Sequence, residues 1–332
     1  MSNNDKVFPL RFFDPRRTAR KDSEAVPEQP DGVDHARRKL LKGLGTVGVA
    51  TASAASSPAW GGATLKDTWG DFFQDHYQRM SPDEIQAALG RIERRAKQRY
   101  GVDIQCENTP PQPGVVFGYA INISRCQGYR DCVSACVEEN NHGRDPESTQ
   151  YIRVLEMDQG SRSLERSEHY YDPETVPVEG KYYLPVQCQQ CDDPPCVKAC
   201  PVQATWMEPD GIVVVDYNWC IGCRYCMTAC PYWARHFNWK EPDIPAEDMN
   251  PNTHYLGNRP RPKGVVEKCH FCIQRTRKGQ QPACMEACPT GARVFGNLMD
   301  PNSEIRYILA NKTVFRLKEE LGTEPKFWYF TD

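Results

Sequence analysis

Long apolar runs are missing from this sequence, and with them several classes of protein. No stretch reaches 18 apolar residues, so no transmembrane helix is predicted. The formal net charge is only −3, which gives no support for nucleic-acid binding. No C-x2-C-H motif is present, so covalent haem is not indicated. No nucleophile motif and no paired acid and base stand out. These absences favour a protein without catalysis of its own, held at any membrane by a partner.

Cysteine is the residue that the chain has in quantity. The chain has 332 residues, of which 39% are hydrophobic, with 27 Pro, 23 Gly and 16 Cys. This composition predicts a loop-rich fold that apolar burial alone does not stabilise. All cysteines except Cys106 fall into four tight groups, which is the spacing of metal ligands rather than of a disulfide framework. Cys106 lies in a polar connector and is interpreted as a spare thiol.

Four cysteine groups form an internal repeat. Group one is Cys126, Cys132 and Cys136; group two is Cys188, Cys191, Cys196 and Cys200; group three is Cys220, Cys223, Cys226 and Cys230; group four is Cys269, Cys272, Cys284 and Cys288. Group three has the bacterial ferredoxin spacing C-x2-C-x2-C-x3-C-P. In that run three thiolates hold one iron–sulfur cluster and the fourth reaches a second cluster, so the sequence predicts more than one cluster.

The spacing also has a structural meaning. A loop that winds around a cubane can offer a thiolate every third residue, and small residues such as Gly128 and Gly222 let backbone N–H groups approach the sulfurs. We expect a helix to follow each fourth cysteine, started by Pro201, Pro231 and Pro289. Zinc needs four thiolates per site, not runs of three plus one that end in Cys-Pro, so iron–sulfur clusters are favoured.

The N-terminus predicts export. A polar leader, residues 1–36, is followed by Arg37 and Arg38, and then by a weakly apolar stretch over 43–50. These features resemble a twin-arginine signal, which exports folded proteins and would carry assembled clusters to the periplasm. Ala36 stands where Ser or Thr is usual, and a charged helix start before an Ala-rich linker is the alternative.

The chain is expected to have three parts. Residues 1–59 are the leader and signal, with a cut after Ala54 or Ala59; residues 60–116 are a helical extension; residues 117–332 hold the cysteines. In the extension, Trp69, Phe72, Phe73, His76 and Tyr77 form an aromatic stripe of helical period, interpreted as packing.

Local signals predict one more helix and several strands. A second helix should begin at the Ser81–Glu84 capping box and end before Gly101. We also expect a short strand within 211–216, and a pair of strands, 151–155 and 182–186, around the loop 157–180.

Residues 117–330 resemble the four-cluster, ferredoxin-like subunits of membrane-associated oxidoreductases, such as polysulfide, dimethyl sulfoxide, tetrathionate and nitrate reductases, hydrogenase-linked complexes and alternative complex III. The resemblance rests on the order of the groups, the Asp-Asp-Pro-Pro within group two, and the long insertion and Cys-Pro-Thr-Gly of group four. It implies an α+β fold of two ferredoxin-like dicluster modules with long loops and β insertions.

The resemblance also implies a crossed ligand pairing. The four predicted ligand sets are Cys188, Cys191, Cys196 and Cys230; Cys220, Cys223, Cys226 and Cys200; Cys269, Cys272, Cys284 and Cys136; and Cys126, Cys132 and Cys288. Tyr129 stands where the fourth ligand of the last set belongs. We therefore predict three 4Fe–4S clusters and one 3Fe–4S cluster, with a 4Fe–4S cluster bearing water or the Tyr129 phenolate, or an empty site, as alternatives.

The implied function is a periplasmic electron conduit. Its partners would be an integral membrane quinone-interacting subunit and a molybdopterin catalytic subunit. A multihaem cytochrome or a hydrogenase complex is the alternative second partner, and a free-standing periplasmic ferredoxin is the alternative function. Arg275, Arg277 and Lys278, in the insertion of group four, are expected either to favour reduced clusters or dock a partner, or to lie in a solvated loop.

Overall fold

The computed structural model describes residues 80–145 and 148–332. The leader, the signal and the aromatic stripe from Trp69 to Tyr77 lie outside the described residues. In the described part of the chain, no helix is both long and apolar enough to cross a membrane.

The first described helix has the ends that the sequence predicts. Helix α1, Pro82–Tyr100, begins after Ser81, whose hydroxyl accepts from the Glu84 N–H while the Glu84 carboxylate accepts from the Ser81 N–H. It ends at Gly101, which adopts a left-handed conformation (φ +73°) and donates its N–H to the Lys97 carbonyl. Ala88, Leu89 and Ala96 are buried along one face. The predicted capping box and helix end are confirmed.

Short strands and short helices make up the rest of the fold. The strands are β1 Gln105–Glu107, β2 Phe117–Asn122, β3 Arg153–Asp158, β4 Lys181–Val186, β5 Thr205–Met207, β6 Val213–Val215, β7 His236–Phe237, β8 Asn252–His254, β9 Val266–Glu267, β10 Arg293–Asn297, β11 Val314–Phe315 and β12 Phe327–Phe330. The later α-helices are α2 Asp131–Glu139, α3 Pro195–Lys198, α4 Tyr225–Thr228, α5 Ile273–Thr276, α6 Ala283–Glu286 and α7 Glu304–Asn311. The predicted mixture of helix and sheet is confirmed.

The largest sheet has the order β10-β2-β12-β11. Strand β2 is buried along its whole length, antiparallel to β10 and parallel to β12. Its Tyr119 ring stacks on Phe327 from β12, with centroids 5.0 Å apart, and contacts Phe271 from group four. This aromatic core therefore packs directly against a cysteine loop.

The remaining strands pair in twos, and two of these pairs contain the strands that the sequence predicts. Strands β3 and β4 are antiparallel around the predicted loop, with Leu155 opposite Leu184. Strand β6 lies within 211–216 and pairs with β5. Parallel pairing of β1 with β8 joins the segment after α1 to the cysteine-bearing region.

The predicted helices after the fourth cysteines are wrong. Each helix instead lies before the fourth cysteine and carries the third one: Cys196 lies in α3, Cys226 in α4 and Cys284 in α6. The prolines after Cys200, Cys230 and Cys288 begin turns. Proline is common just beyond a helix C-cap because it cannot continue the helix, so these prolines mark helix ends rather than starts. Group one differs, since α2 contains both Cys132 and Cys136.

Candidate metal centres

The four cysteine loops share a backbone feature. The residue two positions after each first cysteine has a positive φ: +83° at Gly128, +46° at Gln190, +73° at Gly222 and +53° at Phe271. Left-handed residues that alternate with other conformations form concave nests of backbone N–H groups, which bind anions. The loops are therefore shaped for a negatively charged group bound among the thiols.

Two of these positions need glycine for space as well as for φ. A Cβ at Gly128 would lie 2.5 Å from the ring of Tyr183. A Cβ at Gly222 would collide with the carbonyl oxygen of Gly264. Neighbouring segments thus pack directly against both loops at these glycines, and this packing fixes the path of the backbone beside the thiols.

Fifteen of the sixteen cysteines gather into four sites that cross the sequence groups. Site A contains Cys126, Cys132 and Cys288; site B contains Cys136, Cys269, Cys272 and Cys284; site C contains Cys188, Cys191, Cys196 and Cys230; site D contains Cys200, Cys220, Cys223 and Cys226. These are the sets that the resemblance implies. The structure brings the members of each set together.

At three of the sites the thiols line a cavity. Each of these cavities, at sites A, B and C, is lined by all the cysteines of its site. A zinc site instead draws four sulfurs to about 2.3 Å from one ion. Within the described residues, no group of three or more His, Cys, Asp or Glu side chains could hold a single metal ion. Three or four thiols around one shared space are the donor set that an iron–sulfur cluster takes.

Burial favours the neutral form of several of these thiols. Burial is the main cause that raises the pKa of Cys126 and Cys226 to about 11 and that of Cys191 and Cys269 to about 12. Neighbouring cysteines of the same site raise these pKa values further, since several thiolates together repel one another. Metal binding needs thiolates, so loading of these sites would release protons.

The four sites follow one another in the order A, B, C, D. The Arg293 guanidinium joins sites A and B, with Nη2 3.2 Å from Cys132 Sγ and Nη1 3.9 Å from Cys284 Sγ. Cys269 of site B lies near Cys188 of site C, which contributes to raising the pKa of the Cys269 thiol. Arg235 joins sites C and D, between Cys196 and Cys226. Each site therefore lies next to at least one other site.

Amide and hydroxyl groups approach the sulfurs of site B. Asn140 Nδ2 lies 3.5 Å from Cys136 Sγ and 3.8 Å from Cys272 Sγ, and the Tyr119 hydroxyl lies 3.4 Å from Cys284 Sγ. Gln187 also lines the cavity, and its Nε2 is buried without a partner among the described residues. Hydrogen bonds to sulfur ligands tune the potential of iron–sulfur clusters, so these side chains suit such a site.

Site A has only three cysteines, and the structure places Tyr129 at its rim. Tyr129 lines the cavity but is 37% exposed, and its hydroxyl donates to Gln127 Oε1 at 2.6 Å. The hydroxyl of Tyr129, at the ligand position that has no cysteine, is thus already hydrogen-bonded to the side-chain amide of Gln127.

Sequence reasoning missed the buried cations between the sites. Arg235, Lys268 and Arg293 are all buried, and Lys268 donates to the Cys269 carbonyl at 2.8 Å beside sites B and C. A signal was present, because both arginines are the fifth residue after the last cysteine of a group, Cys230 or Cys288.

Other basic residues have structural partners. Arg277 is buried and pairs with Asp210 at 2.9 Å, while Arg275 pairs with Glu139 and Glu286, and Lys278 pairs with Glu107 at 2.8 Å. The solvated-loop interpretation is therefore wrong for Arg277, because its charge is balanced inside the protein.

Cys106 stands apart from the four sites. It is buried in β1, and its N–H donates to Glu93 Oε1 at 3.0 Å. Burial raises the pKa of its thiol. None of the four sites includes it, in keeping with its interpretation as a spare thiol.

Comparison with known proteins identifies the cysteine-rich region. The model of the 4Fe–4S dicluster domain matches residues 180–261 and 254–298, which contain groups two, three and four. Group one lies outside the matched residues.

Several curated proteins are similar over most of their own length. The iron–sulfur subunit 1 of an Hdr-like menaquinol oxidoreductase from Archaeoglobus fulgidus is 43% identical, over 60% of this chain and 71% of that protein. The iron–sulfur cluster-binding subunit of a menaquinone reductase from Nitratidesulfovibrio vulgaris is 35% identical, over 65% of this chain and 89% of that protein. The iron–sulfur subunit of an arsenate respiratory reductase from a Shewanella species is 33% identical, over 64% of this chain and 95% of that protein.

Proposed function

The chain belongs to the family of iron–sulfur subunits that carry a 4Fe–4S dicluster domain, and we propose that it passes single electrons between a membrane quinone-reactive subunit and a second redox partner. The row of four neighbouring cysteine sites carries this proposal, because it joins one end of the cysteine-bearing region to the other. An iron–sulfur cluster, when bound, supplies a reversible one-electron carrier. The chain's own part is to hold, bury and tune that carrier.

We assign the ligands by site. The four cysteines of sites B, C and D would each hold one 4Fe–4S cluster, with one thiolate of every set crossing from another sequence group. Positive-φ loops support this assignment at all three sites, and cavities lined by the cysteines support it at sites B and C. Two ferredoxin-like modules would result, one from groups one and four and one from groups two and three. Packing of α2 on α6 and of α3 on α4 supports this division.

Site A would hold a 3Fe–4S cluster. Its three thiolates come from Cys126, Cys132 and Cys288, and the Tyr129 hydroxyl is already bonded to Gln127. A cluster with three thiolates readily lacks the iron that would need a fourth ligand. A 4Fe–4S cluster with water or phenolate on that iron, and an empty site, are the outcomes that would replace this assignment.

The end of the row at site D is the surface proposed to face the membrane subunit. Ile221, Tyr225 and Trp239 are exposed there, Trp239 by 67%, and Arg224 lies over the rings of Phe237 and Trp239. Exposed apolar groups that cluster beside a functional site mark protein contacts. Two of the relatives are named for menaquinol and menaquinone, which supports a quinone-linked partner here.

The second partner is proposed to meet site A. We favour a molybdopterin oxidoreductase, with a multihaem cytochrome or a hydrogenase as the replacement if purification brings one of those instead. The chain would work in the periplasm, exported by the signal in residues 1–59 and extended by residues 60–116 ahead of the cluster domain.

Purification of the tagged full-length chain from membranes of its native host tests this function. We expect a brown complex in which the chain co-purifies with a polytopic membrane protein and a second redox subunit, and in which quinol reduces the clusters. A brown monomer without partners would indicate a free-standing ferredoxin. A colourless, iron-free protein would contradict the iron–sulfur assignment itself.

Export is tested separately. Replacement of both Arg37 and Arg38 by lysine keeps the charge but removes the arginine pair, so we expect the protein to remain in the cytoplasm with its clusters assembled. Fractionation by osmotic shock would measure this. Unchanged periplasmic recovery of the double variant would overturn the twin-arginine assignment.

A further inference from the structure

Two buried arginines occupy equivalent places in the cysteine repeat. Arg235 follows Cys230 in the string Cys-Pro-Tyr-Trp-Ala-Arg, and Arg293 follows Cys288 in the string Cys-Pro-Thr-Gly-Ala-Arg. The corresponding position after Cys200 is Thr205. The repeat therefore places one arginine in each pair of groups: Arg293 in the pair formed by groups one and four, and Arg235 in the pair formed by groups two and three.

Arg293 lies between sites A and B. Its Nη2 is 3.2 Å from Cys132 Sγ, and its Nη1 is 3.9 Å from Cys284 Sγ and 3.0 Å from Gln187 Oε1. Cys132 occupies the third ligand position of group one, after Cys126 and Tyr129, and Cys284 is the third cysteine of group four. One guanidinium thus contacts the same ligand position of both sites.

Arg235 repeats this arrangement between sites C and D. Its Nη2 is 3.1 Å from Cys196 Sγ and 2.9 Å from the hydroxyl of Thr205, its counterpart in the repeat. The guanidinium also lowers the pKa of Cys226, against the larger effect of burial. Cys196 and Cys226 are again third cysteines, of groups two and three.

The charge of these two arginines is balanced differently from that of Arg261 and Arg277, which are also buried. Arg261 pairs with Glu267, and Arg277 pairs with Asp210. Arg235 and Arg293 are only 4% and 3% exposed, and within residues 80–145 and 148–332 neither forms an ion pair with a carboxylate. A buried cation is costly unless an anion compensates it. The cysteine sulfurs are the groups that can supply the negative charge.

Two hydrogen-bond donors of Arg235 also indicate that it faces a negatively charged group. Arg235 Nε and Nη1 are buried and have no hydrogen-bond partner among the described residues. Both belong to a guanidinium that lies against Cys196 and lines the cavity of site C. The sulfide and thiolate sulfurs of a loaded cluster are acceptors of the kind that these donors lack.

We propose that Arg235 and Arg293 are cationic bridges, each placing one fixed positive charge between the two clusters of a pair and raising the reduction potential of both. This inference rests on the proposed function. Each reduction adds one electron to a cluster, and the arginine keeps its proton and its charge throughout.

Redox titrations followed by low-temperature EPR test this proposal on the full-length, cluster-loaded protein. In Arg235→Gln we expect the clusters of sites C and D to become harder to reduce together, by at least tenfold in the reduction equilibrium, or about 59 mV for a one-electron couple. Arg293→Gln should move sites A and B instead. Arg235→Lys and Arg293→Lys keep the charge and should retain most of the wild-type potentials. A shift of one cluster alone, of all four equally, or of none would overturn the proposal.

A paired control separates this effect from the loss of any buried arginine. Arg277→Gln combined with Asp210→Asn removes a buried cation together with its own carboxylate partner. We expect this double variant to leave the four potentials unchanged. A shift as large as that of Arg235→Gln would show that the potentials report general disturbance, which contradicts the specific bridge.

A measurement on the wild-type protein covers the case in which the glutamine variants do not load clusters. With ¹⁵N in the guanidino groups of arginine only, pulsed EPR of the reduced clusters should detect weak ¹⁵N coupling, which is reduced in Arg235→Lys and in Arg293→Lys. Absence of that coupling in loaded wild-type protein would overturn the bridges while leaving the proposed function intact. Absence of clusters from wild-type protein would instead contradict the proposed function.

Discussion

The loops of sites A and D differ at the position of one ligand yet have almost the same backbone. In the site A loop φ is +83° at Gly128 and +63° at Arg130, and in the site D loop it is +73° at Gly222 and +66° at Arg224. A helix begins at the next residue in both. The residue between the two left-handed positions is Tyr129 at site A and Cys223 at site D.

The loop therefore does not depend on the second thiol for its shape. Glycine supplies the first left-handed position, and the following helix fixes the end of the loop. The residue at the second ligand position can therefore change while the loop keeps its backbone conformation. The two sites can differ in iron content without a change of fold.

Gly222→Ala should break the site D loop most severely. The new Cβ would collide with the Gly264 carbonyl, a backbone atom that cannot easily move, and would add the strain of a positive φ. We expect loss of the site D cluster, measured as about four iron atoms fewer per chain. The control is Gly264→Ala, which has open space at the Cβ position and adds only about 1–2 kcal/mol of strain. Full iron content in Gly222→Ala would contradict this explanation.

Gly128→Ala should have a smaller effect at site A. Its Cβ would meet the ring of Tyr183 at 2.5 Å, and a side chain can shift where a backbone carbonyl cannot. We expect partial loss of the site A signal in EPR, and recovery when Tyr183→Ala is added to make room. Failure of the second substitution to restore the signal would show that the positive φ, not the ring, limits this loop.

Cys223→Tyr should make site D resemble site A. The loop would keep its backbone and lose one thiolate, so we expect about one iron atom fewer per chain and a second 3Fe–4S signal in the oxidised protein. Cys106→Ala is the matched control, because that buried thiol belongs to none of the four sites. If Cys223→Tyr emptied site D altogether, the likeness of the two loops would not extend to three-thiolate binding.

Tyr129→Phe should have the smallest effect. The hydroxyl donates to Gln127 at the protein surface, and an exposed hydrogen bond of this kind is worth about 1 kcal/mol or less. We expect unchanged iron content and an unchanged site A signal. A changed visible spectrum or EPR signal would favour the phenolate as a ligand.

Cysteine spacing alone predicted the chemistry and, with the family resemblance, the crossed sets that the structure brings together. Local signals were also sufficient for α1 and for the β3–β4 pair, because helix caps and strand-forming β-branched and aromatic residues act over short distances. The helices predicted after the fourth cysteines were wrong because a proline such as Pro231 is compatible with a helix start and with a helix end. The structure shows that it follows a helix, the one that carries Cys226.

What remained hidden from the sequence depends on contacts between distant segments. The role of Arg293 requires β10 to bring it to Cys132, 161 residues away along the chain. The exclusion of a side chain at Gly222 depends on Gly264, which no local pattern links to it. Charge balance in the interior is likewise a property of the packed chain, as the Arg277–Asp210 pair shows.

Low-temperature EPR with iron and sulfide counts tests the central claim most directly. For wild-type protein we predict about 15 iron atoms per chain and the signal of an oxidised 3Fe–4S cluster. In Tyr129→Cys that signal should disappear as one more iron is bound, giving about 16 iron atoms and a fourth 4Fe–4S cluster. Wild-type protein with full four-site iron loading and no such signal when oxidised would contradict the account.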